Sequence, residues 1–287
     1  MVFAMGCFAV EDALIKALST NIPVGQIISM ICAGGAIAFL IWFKARGIAI
    51  WHPDFRSLQV NFRSFCDAVG SCFFVTALSL IPLTTASAVI QATPLVVALG
   101  AALFLGQGIG WRRWIAILVG FGGVLLIIRP GMEGFQGATL LAVVGMLGLA
   151  ARDLATRALT VELTGVQLAL HTFVVLVPTG VILMAIQGQV PVWPSGWEWS
   201  ILAVTVVIGI IAYLAIVAAT RTGNAGIISS FRYSRMIYAL IIGYLAFGEV
   251  PDNLTLLGAA IVIAAGLFTL IREARLGRAS PSQATAV

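Results

Sequence analysis

The chain has 287 residues, of which 61% are hydrophobic and only 9% charged, with a mean hydropathy of +1.08. Those fractions exclude an ordinary soluble domain, in which roughly a quarter of residues are charged. The net charge of +5 would suit a nucleic-acid partner in a soluble chain; in one this apolar it points instead to Arg-rich cytoplasmic loops beside a lipid bilayer.

Apolar runs of about 20 residues recur along the whole length, the pattern of an all-α polytopic membrane protein. The first span runs from Val2 to Thr20. No basic segment precedes it, and Glu11, Asp12 and Lys16 interrupt its end, so it reads as a retained helix rather than a signal peptide. Span 2 covers Val24 to Phe43, and a polar loop follows from Lys44 to Phe55. Span 3 covers Ser57 to Ile81, span 4 Thr84 to Gly106 and span 5 Trp111 to Ile128. The stretch from Arg129 to Gly137 is the densest cluster of turn residues in mid-chain. It divides the chain into a first five-helix half, residues 1–130, a connecting loop, 131–137, and a second five-helix half, 138–276. Spans 6 to 10 cover Ala138 to Leu159, Val166 to Ile186, Trp199 to Thr220, Ala225 to Phe247 and Leu254 to Ile271. Residues 277–287 form a polar tail, expected to be disordered and cytoplasmic. Cys7, Cys32, Cys66 and Cys72 lie in apolar sequence without disulfide or zinc-ligand spacing and read as packing residues.

Charge fixes an orientation. With the N-terminus inside, the inner loops and ends hold Lys44, Arg46, Arg56, Arg112, Arg113, Arg157, Arg221, Arg272, Arg275 and Arg278. The outer connections hold Arg129 among Glu133, Glu198, Glu249 and Asp252. This asymmetry predicts both termini in the cytoplasm of a bacterial cell, with the protein in the inner membrane. Trp193, Trp197 and Trp199 then fall at the outer interface as aromatic anchors. Five spans per half is an odd number, so the second half enters the membrane from the opposite side, as an inverted repeat.

The sequence itself repeats. Ala9-Val-Glu-Asp12-Ala-Leu-Ile-Lys16-Ala-Leu-Ser19 returns 141 positions later as Ala150-Ala-Arg-Asp153-Leu-Ala-Thr-Arg157-Ala-Leu-Thr160. In each copy an acid precedes a base by four residues, which puts both on one helical face within pairing reach. A second echo, 142 apart, relates Leu103-Phe-Leu-Gly106-Gln107 to Leu245-Ala-Phe-Gly248-Glu249. With Pro94 inside span 4, this doubled layout resembles the drug/metabolite transporter superfamily, and within it the EamA-type ten-helix bacterial exporters, over nearly the whole chain. Gln107 departs from the acid usual at that position, while Glu249 keeps it. The resemblance implies export of small metabolites, amino acids prominent among them, through a cavity lined mainly by spans 1, 3, 4, 6, 8 and 9.

Charged and polar side chains inside membrane-type sequence mark the candidate site. In span 3, Asn61, Ser64, Asp67 and Ser71 fall within about 120° of one another at 100° per residue. They form either a cavity wall, with Phe65 and Phe73 beside it, or a set of interhelical hydrogen bonds. In span 4, Thr84, Ser87 and Gln91 lead to Pro94, which frees one carbonyl either to accept from a substrate or merely to kink the helix. Span 9 carries Arg232, Tyr233 and Arg235; the arginines either bind a carboxylate or phosphate by their planar fork, or make gating pairs. Tyr213 offers a hydroxyl in span 8, and His171 in span 7 a hydrogen bond to a neighbouring helix. Glu11, Asp12 and Lys16 on one side, and Arg152, Asp153 and Arg157 on the other, are either self-neutralising clusters or two alternately formed gates.

No phosphate loop, metal-ligand cluster or nucleophile–base motif is present, which predicts neither an enzyme nor a cofactor. The expected function is secondary export of amino acids with apolar or aromatic side chains by alternating access. Efflux of lipophilic cations, with Glu11 or Asp67 as the acid, is the alternative within transport; a membrane scaffold or receptor is the alternative outside it.

Overall fold

The computed structural model describes residues 1–106, 110–131, 135–161, 163–222 and 230–278. Gln107, Glu133, the expected start of span 9 at Ala225 and the tail beyond Arg278 lie outside them. Among the described residues there is no strand, and the helices follow the apolar runs closely. They are α1 (Val2–Leu18), α2 (Val24–Arg46), α3 (Leu58–Leu80), α4 (Leu83–Ile90), α5 (Thr93–Phe104), α6 (Trp111–Ile128), α7 (Thr139–Arg157), α8 (Gly165–Ile186), α9 (Gly196–Thr222), α10 (Ser234–Phe247) and α11 (Asn253–Arg278). Short 3-10 turns cover Pro53–Arg56 and Phe231–Tyr233.

Local chemistry sets the ends. Gly47, in the left-handed region at φ 64°, stops α2, and the Ser57 hydroxyl accepts the Val60 amide to start α3. Thr164 and Gln167 form a capping box at the start of α8. Beyond the expected end at Ile271, the last helix continues to Arg278.

Span 4, read as one helix in the sequence, is two. Gln91 and Ala92 separate α4 from α5. Pro94 has no amide to donate to the Ile90 carbonyl four residues back, and the Thr93 hydroxyl takes that carbonyl instead, at 2.6 Å. The carbonyl freed by the proline is thus consumed locally. A matching interruption opens α10, where the 3-10 turn at Phe231–Tyr233 precedes the regular helix. The Gln91 side chain bridges the two interruptions, donating Nε2 to the Tyr233 carbonyl at 3.1 Å.

Helices from the two halves of the sequence lie against one another: α2 along α8, α3 along α7, α6 along α11 and α1 along α9. Glycine permits the closest of these approaches. A Cβ on Gly148 would sit 2.6 Å from Gly70 Cα, and one on Gly25 would sit 2.3 Å from the Gly180 carbonyl oxygen. α3 and α7, and α2 and α8, therefore meet backbone to backbone. The outward surfaces carry bare aliphatic and aromatic side chains, such as Ile41, Phe104 and Leu118. Seven helical stretches are long and apolar enough to cross a membrane: α2, α4–α5 taken together, α6, α7, α8, α9 and α11. The long helices of the described residues that do not meet that description, α1, α3 and α10, import most of the charge that builds the site.

At one end of the bundle Arg129, itself left-handed at φ 53°, closes α6 and pairs with Asp252, whose Oδ1 also accepts the Thr255 amide at 2.8 Å. Burial pushes the Asp252 carboxyl up, but the Thr255 amide and hydroxyl and the Arg129 guanidinium outweigh it and hold it below the usual carboxylate range.

Candidate functional site

Six helices, α1, α2, α3, α7, α8 and α9, line a cavity of about 240 Å³. One wall is apolar and aromatic, with Phe8, Ile31, Phe173, Leu176 and Val206. The polar groups are Glu11 from α1, Arg63, Asp67 and Ser71 from α3, Arg152 from α7, Thr172 from α8 and Tyr213 from α9. The family resemblance implied spans 4 and 9 as walls; here α2 and α8 take those places. The broken span 4 and α10 meet through Gln91 and Tyr233 outside the cavity lining.

α3 presents its polar groups at intervals of four, Arg63, Asp67 and Ser71, so all three share one helical face. Asp67 is 4% exposed and holds two cations: Arg152 Nη1 at 3.1 Å and Arg63 Nη1 at 3.7 Å. Arg152 also donates to Asp153, with Nη2 to Oδ1 at 2.8 Å, and Asp153 faces Arg232 Nη1 at 3.7 Å. Arg63 reaches on to Thr156 at 3.1 Å and to the Thr172 hydroxyl. The result is a continuous chain of charge from Arg63 to Arg232. Burial of ionised groups demands this kind of mutual satisfaction.

Around α1 the charges are settled separately. Asp12, 5% exposed, takes Arg235 Nη2 at 2.6 Å and Nε at 3.1 Å, and that guanidinium also lies over the rings of Phe8 and Phe74. Lys16 does not pair with Asp12, as its spacing predicted. Its ammonium donates to the carbonyls of Leu78 and Ile81 at the end of α3 and lies 3.7 Å from Glu249. Those carbonyls have no amide of their own helix to accept from, so they are better partners than a carboxylate already held by Arg235. Glu249 in turn accepts the Leu83 amide at 2.7 Å and the Thr84 amide at 3.0 Å, capping α4. Glu11 alone among these acids forms no hydrogen bond or ion pair with a described residue.

The other residues singled out in the sequence have local duties. Asn61 donates to the Phe55 and Ser57 carbonyls, and Ser64 shares a hydrogen bond with His171 at 2.9 Å. Phe65 is 64% exposed on the outer face. The Tyr213 hydroxyl donates to the Gly165 carbonyl while its ring edges onto Phe39. Tyr233 is buried against Gly266. Arg157 lies close enough to Asp153 to act on it through charge. Contributors missed include Arg63, Thr172, Phe173 and Gly209, besides apolar wall residues such as Phe8 and Ile31. Only Arg63 left a signal, since it stands four residues before Asp67 inside apolar sequence.

A buried, charge-bearing cavity between helices of a membrane bundle is the layout of a transport site, and comparison with known proteins agrees. The sequence profile of the EamA-like transporter family matches residues 1–129 and again residues 136–271. The chain belongs to the EamA-like transporter family. This EamA-like protein is 28% identical to a Rickettsia felis S-adenosylmethionine uptake transporter over 204 residues, 71% of its own length and 68% of that protein. It is 29% identical to a Rhizobium johnstonii riboflavin transporter over 249 residues, covering 85% and 80% of the two chains. It is 28% identical to a Pseudomonas aeruginosa pseudopaline exporter over 272 residues, 92% of each chain. A crystal structure only 18% identical superposes with a TM-score of 0.63 over 96% of this EamA-like chain and 97% of its own, a likeness of fold. The protein is thus a multi-pass membrane transporter of a family whose bacterial relatives carry chemically diverse small molecules.

Proposed function

We propose that this protein is a secondary transporter of a small zwitterionic metabolite, an amino acid with an apolar or aromatic side chain fitting best. The observation that carries the reading is the cavity itself, which sets acids and guanidiniums against an aromatic wall of Phe8 and Phe173. At about 240 Å³ it lies below the 300–1,000 Å³ usual for drug-sized ligands. That is the scale of one small metabolite rather than of a dinucleotide. The relatives include both uptake and export proteins by name, so direction follows the gradient imposed on the site; export is the reading carried from the sequence.

Ten crossings in two inverted five-helix repeats, residues 1–130 and 138–276, with both termini cytoplasmic, supply the mechanism. Two family matches and the pairing of interrupted segments at Gln91 and Tyr233 support that arrangement. The two halves then rock about the cavity and expose it to each side in turn. Reporter fusions or cysteine labelling at Ser195 and Ser282 are expected to fall on opposite sides of the membrane; the same side for both would end the inverted-repeat account. Efflux of lipophilic cations is the second reading, favoured by the Glu11 carboxylate, which lines the cavity with no hydrogen bond or ion pair among the described residues. Counterflow of a labelled amino-acid panel in proteoliposomes, against labelled lipophilic cations, separates the two.

A further inference from the structure

We propose that the Glu11 carboxylate, above Gly209 of α9, is the subsite that takes the compact cationic group of the transported metabolite, and that Asp67 is not. The inference rests on the reading of the cavity as the substrate site. Asp67 is the acid that position and burial in α3 would nominate, but both its oxygens are engaged, one by Arg152 and the other by Arg63. Asp12 is likewise consumed by Arg235, and Asp153 by Arg152 and Arg232. Glu11 lines the same cavity with no such partner among the described residues.

Gly209 is what keeps the carboxylate where it is. A Cβ at that position would stand 2.7 Å from Glu11 Oε1 and 3.2 Å from its Cδ, closer than atoms tolerate. Any residue but glycine would push the acid aside. The doubled sequence gives the arrangement a template. Glu11 and Arg152 occupy the same place in the two copies of the repeated stretch, 141 apart. The second echo in the sequence, 142 apart, carries Asp67 of α3 to Gly209 of α9. In one copy the protein supplies both charges of the pair, Arg152 on Asp67. In the other it supplies a single carboxylate and, opposite it, a glycine.

Charge across the cavity completes the site. The facing wall of the cavity holds two guanidiniums, Arg63 and Arg152, against one carboxylate, Asp67, a surplus of one positive charge. A zwitterion with its ammonium at Glu11 places its carboxylate toward that surplus. A charge-assisted hydrogen bond to the ammonium is the contact that a neutral amide in place of Glu11 would weaken.

Inhibition of labelled phenylalanine counterflow by phenethylamine and by 3-phenylpropanoate tests the assignment. Glu11→Gln, matched in shape, is expected to weaken inhibition by the amine about tenfold or more, while inhibition by the carboxylate stays within about twofold. Gly209→Ala is expected to do the same, because the clash falls on the far end of a flexible side chain and leaves the helices in place. Amine inhibition unchanged in both variants would overturn the subsite and leave the transporter reading standing. If the wild-type protein carries no amino acid, that reading's substrate class falls instead, and thermal stabilisation of the purified protein by phenethylamine decides the subsite alone. Stabilisation lost in Glu11→Gln supports it; stabilisation absent from the wild type, or independent of Glu11, overturns it.

Discussion

Around α1 two of the three charges are settled against one or two fixed neighbours: Asp12 on Arg235, Lys16 on the end of α3 and on Glu249. Around α7 the corresponding stretch opens into a chain, in which Arg152 joins Asp153 to Asp67 and Asp67 joins Arg63. The two stretches are copies in sequence, yet the α1 copy gives the cavity a single acid, Glu11, and spends its other charges on fixed contacts, while the α7 copy gives it a linked network. What differs is the partner each meets: α1 reaches the carbonyls that end α3, whereas α7 lies backbone to backbone along α3 and meets its buried acid. A repeated motif thus transmits the supply of charge, and the packing decides how it is used.

Removing the hub of the α7 chain should cost most. Arg152→Ala leaves two buried carboxylates short of a cation, and breaking such a buried pair typically costs about 3–5 kcal/mol. Thermal unfolding in detergent should show the largest fall in Tm of any variant considered. A fall no greater than that of an α1 variant would erase the distinction between network and isolated pairs. Lys16→Ala comes next, losing charged hydrogen bonds to two carbonyls for about 1.5–3 kcal/mol. Its effect should centre on the junction of α3 and α4, read as faster hydrogen exchange at Leu83 and Thr84, with exchange in α7 unchanged. Smaller still, Glu249→Gln keeps the shape of the α4 cap but replaces one acceptor by a donor facing amides. The expected loss is about 0.5–2 kcal/mol, in the range of other helix caps.

The sequence reached far into the fold because lipid-facing helices are written as apolar runs. Trp111–Ile128 was legible to the residue, and the remaining described helices mostly within a few residues. The break in span 4 was not, although Pro94 was seen, because a proline announces a lost hydrogen bond and not how the chain repairs it. The site was legible as a supply of charges in spans 1, 3, 6 and 9. Their partners were not, since four-residue spacing only makes a pair available on one helix. Lys16 and Asp12 had that spacing and chose other elements, whereas Arg63 and Asp67 had it and lie 3.7 Å apart. Gly209 carried no signal at all, for its role is to be absent from the space that Glu11 fills.

The smallest effect belongs outside the membrane-spanning segments, at Asp252. Its carboxyl is held below the ordinary carboxylate range, so its contribution to stability is present above about pH 4 and is lost as pH falls through the lowered value. Asp252→Asn should therefore lower Tm slightly at neutral pH and converge with the wild type in acid. Curves that stay parallel down to low pH would remove the Arg129–Asp252 contact from the stability of the α6 and α11 ends.

The central claim, that metabolite passes through the cavity between α1, α2, α3, α7, α8 and α9, is tested most directly by filling it. Ser71 lines the cavity from the polar face of α3, and Ser71→Phe would occupy the space beside Asp67. In proteoliposomes containing equal amounts of folded protein, the wild type should show counterflow of at least one labelled amino acid with an apolar or aromatic side chain, and Ser71→Phe should show none above empty vesicles. Equal counterflow by both, with the variant confirmed folded, would place the transport path elsewhere in the bundle.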